Sequence, residues 1–469
     1  MLDHVAQINP YLEGVFAPVD DELDVQDLEV EGELPEGLVG AYMRNSPNPR
    51  FTPPGRYHWF DGDGMVHALA FEGGRATYRN RYVRTRSFGV EHEAGEAVWG
   101  GILDPIKGGL PGGPLKNTSN TDLVWHAGRL LSLWWLGAEP YELDPSDLST
   151  LGTFDFGGAH KGGVSAHPKV DPRTGELVFM DFSFFKPPFL SYGVASASGE
   201  LTRFVPIEIP GPRILHDLAI TERHTILLDL PLLWDPEALR HGKRKIVFDT
   251  RLPSRFGILP RHGDNADVRW FECDPCYIYH TINAWEEGDE VVLLACRVAN
   301  PMPKAEGWDG TIPRLYFLEL QPFMYRWRFN LVTGQVKEER IDDVSTEFPR
   351  MNDDRLGLPT RFSYNPRVAP LPRLLFDGLI KYDTDAGTSE AWSLPKGHFT
   401  SEPVFVPRPG ARAEDDGWVI SFVHDARDGA TRVEVLNADD FAAGPVATVR
   451  LPRRVPIGFH ACWVPGPLR

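Results

Sequence analysis

Four histidines lie in strand-like, mostly apolar segments that are far apart in this sequence. They are His167 in SAHPK, His216 in ILHDLAIT, His280 in YIYHTINAW and His460 in GFHACW. A buried imidazole needs partners for its ring nitrogens, and these segments supply few polar neighbours. Any one of them alone would be interpreted as a hydrogen-bonded core residue. All four together favour a shared transition-metal ion, which requires a fold that brings four distant segments to one point.

The spacing of turn residues predicts such a fold. The 469 residues include 45 Gly and 42 Pro, which favours many short strands joined by turns. Segments such as HAGRLLSLWWLGAEPYEL and EEGDEVVLLACRV place turn residues next to β-rich runs. We therefore expect one all-β domain over residues 1–469, either a propeller or a large barrel. In a propeller the innermost strands line a central channel, so each can present one side chain to the axis.

Charge and composition exclude several classes of function. The net charge of −18 argues against a nucleic-acid partner, although a local patch could still dock transiently on a membrane surface. Four cysteines in a chain of this length do not form a disulfide framework. The first thirty residues lack the cationic start and apolar stretch of a signal peptide, and no apolar run is long enough to span a bilayer. We expect a cytoplasmic protein with no obligate protein partner.

The donor set indicates which metal the histidines would hold. Four imidazoles with no thiolate or carboxylate suit Fe(II), which keeps two further positions for O2 or substrate. A zinc ion bound by four histidines would have a complete coordination shell and a purely structural role. A non-catalytic propeller that binds a metal, or none, therefore remains an alternative. Metal-bound imidazoles also need hydrogen-bond acceptors behind them. Glu347 in TEFPR and Glu402 in SEPVF are candidates, although either alone would be interpreted as a solvated turn residue.

Nearly the whole chain resembles the carotenoid cleavage oxygenases. The resemblance rests on segments that include LEVEGELPEGLVGAYMRNSPNPRF, HWFDGDGMVHAL, HDLAIT, YHTINAWEEGDEVVL, EFPR and FHACW. It implies a seven-bladed β-propeller with a cap of loops and short helices over the metal face. It also implies Fe(2+) on the axis, bound by the four histidines already named.

The resemblance also implies roles for residues around the metal. Glu347 and Glu402 match two of the three glutamates that usually orient the histidines, whereas Trp135 stands where the third is usual. His216 or a neighbour would then need water or a backbone carbonyl as its acceptor. Thr121, which closes the NTSNT motif, matches a residue that crowds one open iron position in relatives.

Two further differences from the family's usual residues indicate the expected substrate. The stilbene- and isoeugenol-cleaving branch of the family grips a phenol with a Tyr and a Lys, but this chain has Ile102 and Trp134 near those places. A buried phenolate needs polar partners, whereas a polyene does not. We therefore expect oxidative cleavage of a C=C bond in a lipophilic alkene, first of all an apocarotenoid, to give two carbonyl products. Trp59, Phe60, Trp134 and Phe348 are expected to line its tunnel; aryl alkenes are the alternative substrates.

Overall fold

The computed structural model describes residues 9–52, 55, 57–102, 104–105, 107–243, 245–302, 318 and 320–468. Most of the regular structure in this part of the chain is β-strand. In chain order the strands are β1 Asp24–Val25, β2 Val30–Gly32, β3 Gly40–Pro47, β4 Gly64–Glu72, β5 Arg75–Tyr82, β6 Asp122–His126, β7 Arg129–Leu133, β8 Tyr141–Leu143, β9 Thr150–Thr153, β10 Lys169–Val170, β11 Leu177–Phe182, β12 Leu190–Ala195, β13 Leu201–Ile207, β14 Leu218–Ile220, β15 His224–Asp229, β16 Leu232–Trp234, β17 Ile246–Phe248, β18 Ser254–Pro260, β19 Arg269–Cys273, β20 Tyr277–Glu287, β21 Glu290–Val298, β22 Pro322–Asn330, β23 Val336–Ser345, β24 Phe362–Val368, β25 Phe376–Asp383, β26 Thr388–Ser393, β27 His398–Thr400, β28 Val404–Pro407, β29 Gly417–Asp425, β30 Thr431–Asn437, β31 Pro445–Arg450 and β32 Ala461–Pro465.

Helices are few and short among the described residues. The α-helices are α1 Arg86–Ala94 and α2 Pro236–Arg240. Single 3-10 turns are formed by Pro10–Leu12, Gly14–Phe16, Trp59–Asp61, Asn265–Asp267, Asp353–Arg355 and Phe441–Ala443. Thr85 caps the start of α1 by accepting the Phe88 N–H, and Gly95 ends it in the left-handed conformation. The described part of the chain contains no helix that is both long and apolar enough to cross a membrane.

The strands form the seven antiparallel blades of a β-propeller, as expected from the sequence. In order around the ring, the blades contain β32-β3-β4-β5, β6 to β9, β10 to β13, β14-β15-β18-β19, β20 to β23, β24 to β26 and β28 to β31. The sixth blade gains an inner edge from residues 346–350, which bridge to β24 through the pairs Thr346–Arg367 and Arg350–Tyr364. Strand β27 pairs with both β25 and β29, and so joins the sixth and seventh blades.

The two ends of the chain close the ring. The last strand, β32, pairs antiparallel with β3 from Arg44–Ala461 to Gly40–Pro465. The innermost strand of the first blade is therefore supplied by the C-terminal end of the sequence. This closure protects both strand edges, which a propeller would otherwise leave open.

Large aromatic side chains fill the space between neighbouring blades. Trp327 on β22 is fully buried and packs against Phe256 on β18 at a ring-centroid distance of 5.6 Å. This contact joins the fourth and fifth blades. Such inter-blade packing keeps the inner strands, and whatever they carry, in fixed positions.

Replacement of Trp327 by Ala tests this packing. We expect Trp327→Ala to lower the free energy of unfolding by about 3–5 kcal/mol, because it empties a large buried volume. Leu151→Ala is the control, since Leu151 is 60% exposed. Urea denaturation followed by intrinsic fluorescence measures both, and equal losses for the two variants would contradict the assignment.

Candidate metal centre

Each blade of the propeller delivers one side chain to the same region of the axis. The residue lies at or just before the start of the inner strand in six blades, and within β20 in the fifth. The seven residues, from the first blade to the seventh, are His460, Thr121, His167, His216, His280, Glu347 and Glu402. The sequence prediction placed all four histidines inside strands, but only His280 lies within one. His460 directly precedes β32, whereas His167 and His216 each lie two residues before a strand, β10 and β14 respectively.

The four histidines form one cluster. One nitrogen from each of His167, His216, His280 and His460 lies within 4.8 Å of the others. The Nε2 atoms of His167 and His216 are 3.2 Å apart. Adjacent ligands with metal–nitrogen bonds of about 2.1 Å would be separated by roughly 3.0 Å, so this spacing fits a shared ion. The Nε2 atom of His280 is buried and has no hydrogen-bond partner among the described residues, as expected of a ligand atom. The donor set therefore fits a transition metal.

Burial keeps most of these imidazoles neutral, which is the state that binds a metal. None of the four is more than 9% exposed. Burial lowers the pKa of His167, His216 and His460 well below the usual range. Burial is the largest influence and acts to lower the pKa of His280, but the hydrogen bond to Glu347 and the charges of Glu347, Asp217 and Glu402 together outweigh it, so the net shift is upward.

Two carboxylates hold histidine rings across blade boundaries. Glu347 accepts a hydrogen bond from His280 Nδ1 at 2.5 Å, and Glu402 accepts one from His460 Nδ1 at 3.0 Å. Each also accepts a backbone N–H, from Phe348 and Ala461 respectively. Burial raises the pKa of Glu402 to about 7, although the charge of Arg350 opposes it. With Nδ1 engaged in this way, the Nε2 lone pair points to the centre of the cluster.

His216 has no such acceptor. Its Nδ1 atom is buried and has no partner among the described residues. Trp135, which stands at the place expected for a third glutamate, lines the cavity beside His216 instead. The Trp135 backbone N–H donates to Thr121 Oγ1 at 3.1 Å, and Thr121 in turn donates to Asn120 Oδ1 at 2.9 Å. Thr121 is therefore fixed beside the histidines.

The structure adds two aspartates that the sequence analysis missed. Asp122 Oδ2 accepts the His167 backbone N–H at 3.1 Å and lies 3.2 Å from His167 Nδ1. This carboxylate holds His167 in the left-handed conformation, with φ of 66°, which is uncommon outside glycine. Asp217 accepts the Thr281 N–H at 2.7 Å and so anchors the residue after His280. Both follow directly after an axial residue, in NTD and HD, and that position is a signal that sequence reading could have used.

An apolar cavity reaches the histidines from one side. Trp59, Phe60 and Phe348, three of the predicted substrate residues, line it beside His216, His280 and His460. Ile102 and Trp134 do not line this cavity. They line an adjoining one, which shares Phe60 with the first. The predicted substrate residues therefore fall into two groups, which line two cavities that share Phe60, and only the first group lines the cavity at the metal centre.

A second, larger cavity, lined by both charged and apolar side chains, reaches the same histidines. It has a volume of about 810 Å³ and is lined by His167, His280 and His460. Charged side chains surround it, namely Asp122, Lys169, Asp217, Arg350 and Glu402. The histidine cluster therefore lies between an apolar cavity and a larger cavity with charged side chains in its lining.

Comparison with known proteins identifies the family. The family described as RPE65, retinal pigment epithelial membrane protein, matches residues 16–465. The carotenoid 9,10(9′,10′)-cleavage dioxygenase 1 of Phaseolus vulgaris is 38% identical, over 97% of this chain and 89% of its own. The carotenoid cleavage oxygenase of Mycobacterium tuberculosis is 37% identical, over 97% of this chain and 98% of its own. The crystal structure of Pseudomonas brassicacearum lignostilbene dioxygenase superposes with a TM-score of 0.89 at 30% identity, covering 97% of this chain and 98% of that one. The chain belongs to the RPE65/carotenoid cleavage oxygenase family.

Glu347 offers a test of the carboxylate–histidine arrangement. We expect Glu347→Gln to weaken metal binding by about 10- to 100-fold, because the amide no longer holds the His280 ring with a charged acceptor. Titration of the metal-free protein with Co(II), followed by its absorption, measures the affinity. Glu142→Gln on β8, which is remote from the histidines, is the control. An unchanged affinity in Glu347→Gln would contradict the role assigned to this carboxylate.

Proposed function

We propose that this protein is a non-haem Fe(II) dioxygenase that cleaves a C=C bond of a lipophilic alkene, first of all an apocarotenoid, into two carbonyl products. The observation that carries the proposal is a cluster of four buried imidazoles beside an apolar cavity. Membership of the carotenoid cleavage oxygenase family supports it. The proposal treats residues 1–469 as a single catalytic domain. Its partners are the small alkene and O2, with no nucleic acid.

The histidines His167, His216, His280 and His460 would hold the iron. When bound, the iron supplies the activation of O2 for attack on the double bond. The carboxylates of Glu347 and Glu402 orient two of the imidazoles and keep them in the correct tautomer. Thr121 lies against the cluster and limits the space left beside the metal.

The apolar side chains bind the alkene and exclude water. Phe348 stacks on His460 at a ring-centroid distance of 4.6 Å, and Phe60 contacts Trp135 at 5.1 Å. These rings give the cavity beside the histidines walls that are mostly carbon, which suits an apolar substrate. Trp59 lines the same cavity, whereas Ile102 and Trp134 line the neighbouring cavity that shares Phe60 with it.

The charged groups near the cavities favour a polyene over a phenol. The only lysine that lines either apolar cavity, among the described residues, is Lys116. Its amino group is already paired with Asp63 and Glu91, each at 2.7 Å. A phenolate would therefore find no free cation there, and its charge would be costly to bury.

A non-catalytic propeller that carries a structural metal is the alternative. The described polypeptide supplies four imidazoles but no fifth or sixth protein ligand in the cluster. A four-histidine zinc ion would be complete with these ligands. The apolar cavity beside the cluster favours the enzyme, because a structural site has no need of one.

Metal content and oxygen consumption together test the proposal. Purified protein should contain iron near one ion per chain and should consume O2 when an apocarotenal is added. His280→Ala should lose both the iron and the O2 uptake, because only three of the four imidazole ligands would remain. Zinc instead of iron, or turnover retained in His280→Ala, would contradict the proposal.

The substrate assignment has its own test. We expect an apocarotenal to be consumed with a higher kcat/KM than a hydroxystilbene, because the cavities offer no free cation to the phenol. Product masses should show two carbonyl fragments from the polyene. A higher kcat/KM for the hydroxystilbene under matched conditions would favour the aryl alkenes instead.

A further inference from the structure

The larger cavity connects the surface of the protein with the histidine cluster. Its lining includes the exposed residues Asp353 and Asp354 as well as the buried His280. The Nε2 atom of His280 is buried and has no hydrogen-bond partner among the described residues. The cavity therefore extends from exposed carboxylates to a side chain with a nitrogen available to a metal ion.

Carboxylates outnumber basic side chains in the lining of this cavity. The lining acids are Asp122, Asp217, Asp353, Asp354 and Glu402, and the lining bases are Lys169, Arg350 and Arg408. Lys169 is paired with Asp217 at 2.6 Å, and Arg350 is paired with Asp353 at 3.0 Å. Such a cavity has a net negative charge and raises the local concentration of cations.

Two of these carboxylates lie at opposite ends of the cavity. Neither Asp354 nor Asp122 has an arginine or lysine nitrogen within 4.0 Å among the described residues. Asp354 is exposed, and so lies at the outer end. Asp122 is 8% exposed, and its Oδ2 atom lies 3.2 Å from Nδ1 of His167. An entering cation therefore meets one carboxylate without a counter-ion at the surface and another beside the histidines.

The apolar cavity on the other side of the cluster is a poor route for an ion. It has a volume of about 40 Å³, against about 810 Å³ for the larger cavity. Glu347 supplies the one carboxylate in its described lining, and this group already accepts hydrogen bonds from His280 and from the Phe348 N–H. A divalent ion is strongly hydrated in water, and removing that hydration in apolar surroundings costs much free energy.

We propose that the larger cavity is the route by which a divalent transition-metal ion enters and leaves the histidine cluster, and that Asp354 attracts the ion at the outer end. The inference rests on the proposed function only for the existence of the metal centre, and it is independent of alkene cleavage. The metal and the alkene then reach the cluster from different sides, the metal through the charged cavity and the alkene through the apolar one.

The rate of Co(II) uptake by the metal-free protein, followed by absorption after rapid mixing, tests the route. At low ionic strength we expect uptake to slow about three- to five-fold in Asp354→Asn and about ten- to twenty-fold in Asp354→Lys. Both variants should keep the wild-type equilibrium affinity, because a group on the route changes entry and release by the same factor. High salt should remove the differences in rate, since it screens exposed charges.

Asp20 provides the matched control. It is an exposed aspartate that follows the same pattern, with a second aspartate beside it in the sequence, but it does not line the cavity. Asp20→Asn and Asp20→Lys change the net charge equally and should take up Co(II) at the wild-type rate.

Three results would overturn the inference. They are a wild-type rate of uptake in Asp354→Lys, an equal slowing in Asp20→Lys, and a weaker affinity in Asp354→Lys without any change in the rate of uptake. Failure of the wild-type protein to bind Co(II) at all would contradict the metal centre itself, and with it both the proposed function and this route. Absence of alkene cleavage by the iron-loaded protein would contradict the proposed function alone.

Discussion

The structure depends on the convergence of four buried imidazoles on one point, where a shared metal ion would be their common partner. Each of His167, His216, His280 and His460 comes from a different blade, so the cluster exists only when the ring is complete. His460 immediately precedes β32, the strand that closes the ring against β3. Closure of the propeller and assembly of the metal centre are therefore the same structural event. A metal bound at this point would stabilise the closed ring, since it binds the folded state alone.

Carboxylates at the blade boundaries give the cluster its geometry. Glu347 bridges from the sixth blade back to His280 of the fifth, and Glu402 bridges from the seventh blade to His460 of the first. Asp122 and Asp217 bind the backbone at or beside a histidine of the following blade. These contacts use charged acceptors in a buried environment, where such hydrogen bonds are strong and directional. The His216 ring is the exception, because no carboxylate contacts it among the described residues. The two cavities then meet at a rigid centre, with an apolar compartment on one side and a charged one on the other.

Much of this arrangement could be predicted from the sequence, because short local segments carry the signals. The histidine segments, EFPR and EPVF carry their signals in a few residues each, and the rhythm of Gly and turn residues predicts the strands. Helix α1 was not predicted, because its amphipathic pattern is short and weak. The roles of Asp122 and Asp217 were missed because each contacts a residue more than 40 positions away. The separation of Ile102 and Trp134 from Phe348 likewise depends on loop paths that no local pattern encodes.

The most direct test of the account is X-ray absorption at the iron edge of the iron-loaded protein. We expect four imidazole nitrogens at about 2.1 Å from the iron, with any further ligand an exchangeable oxygen. A spectrum that shows fewer than four imidazoles, or a sulphur ligand, would contradict the claim that one histidine from each of four blades meets at a single metal ion.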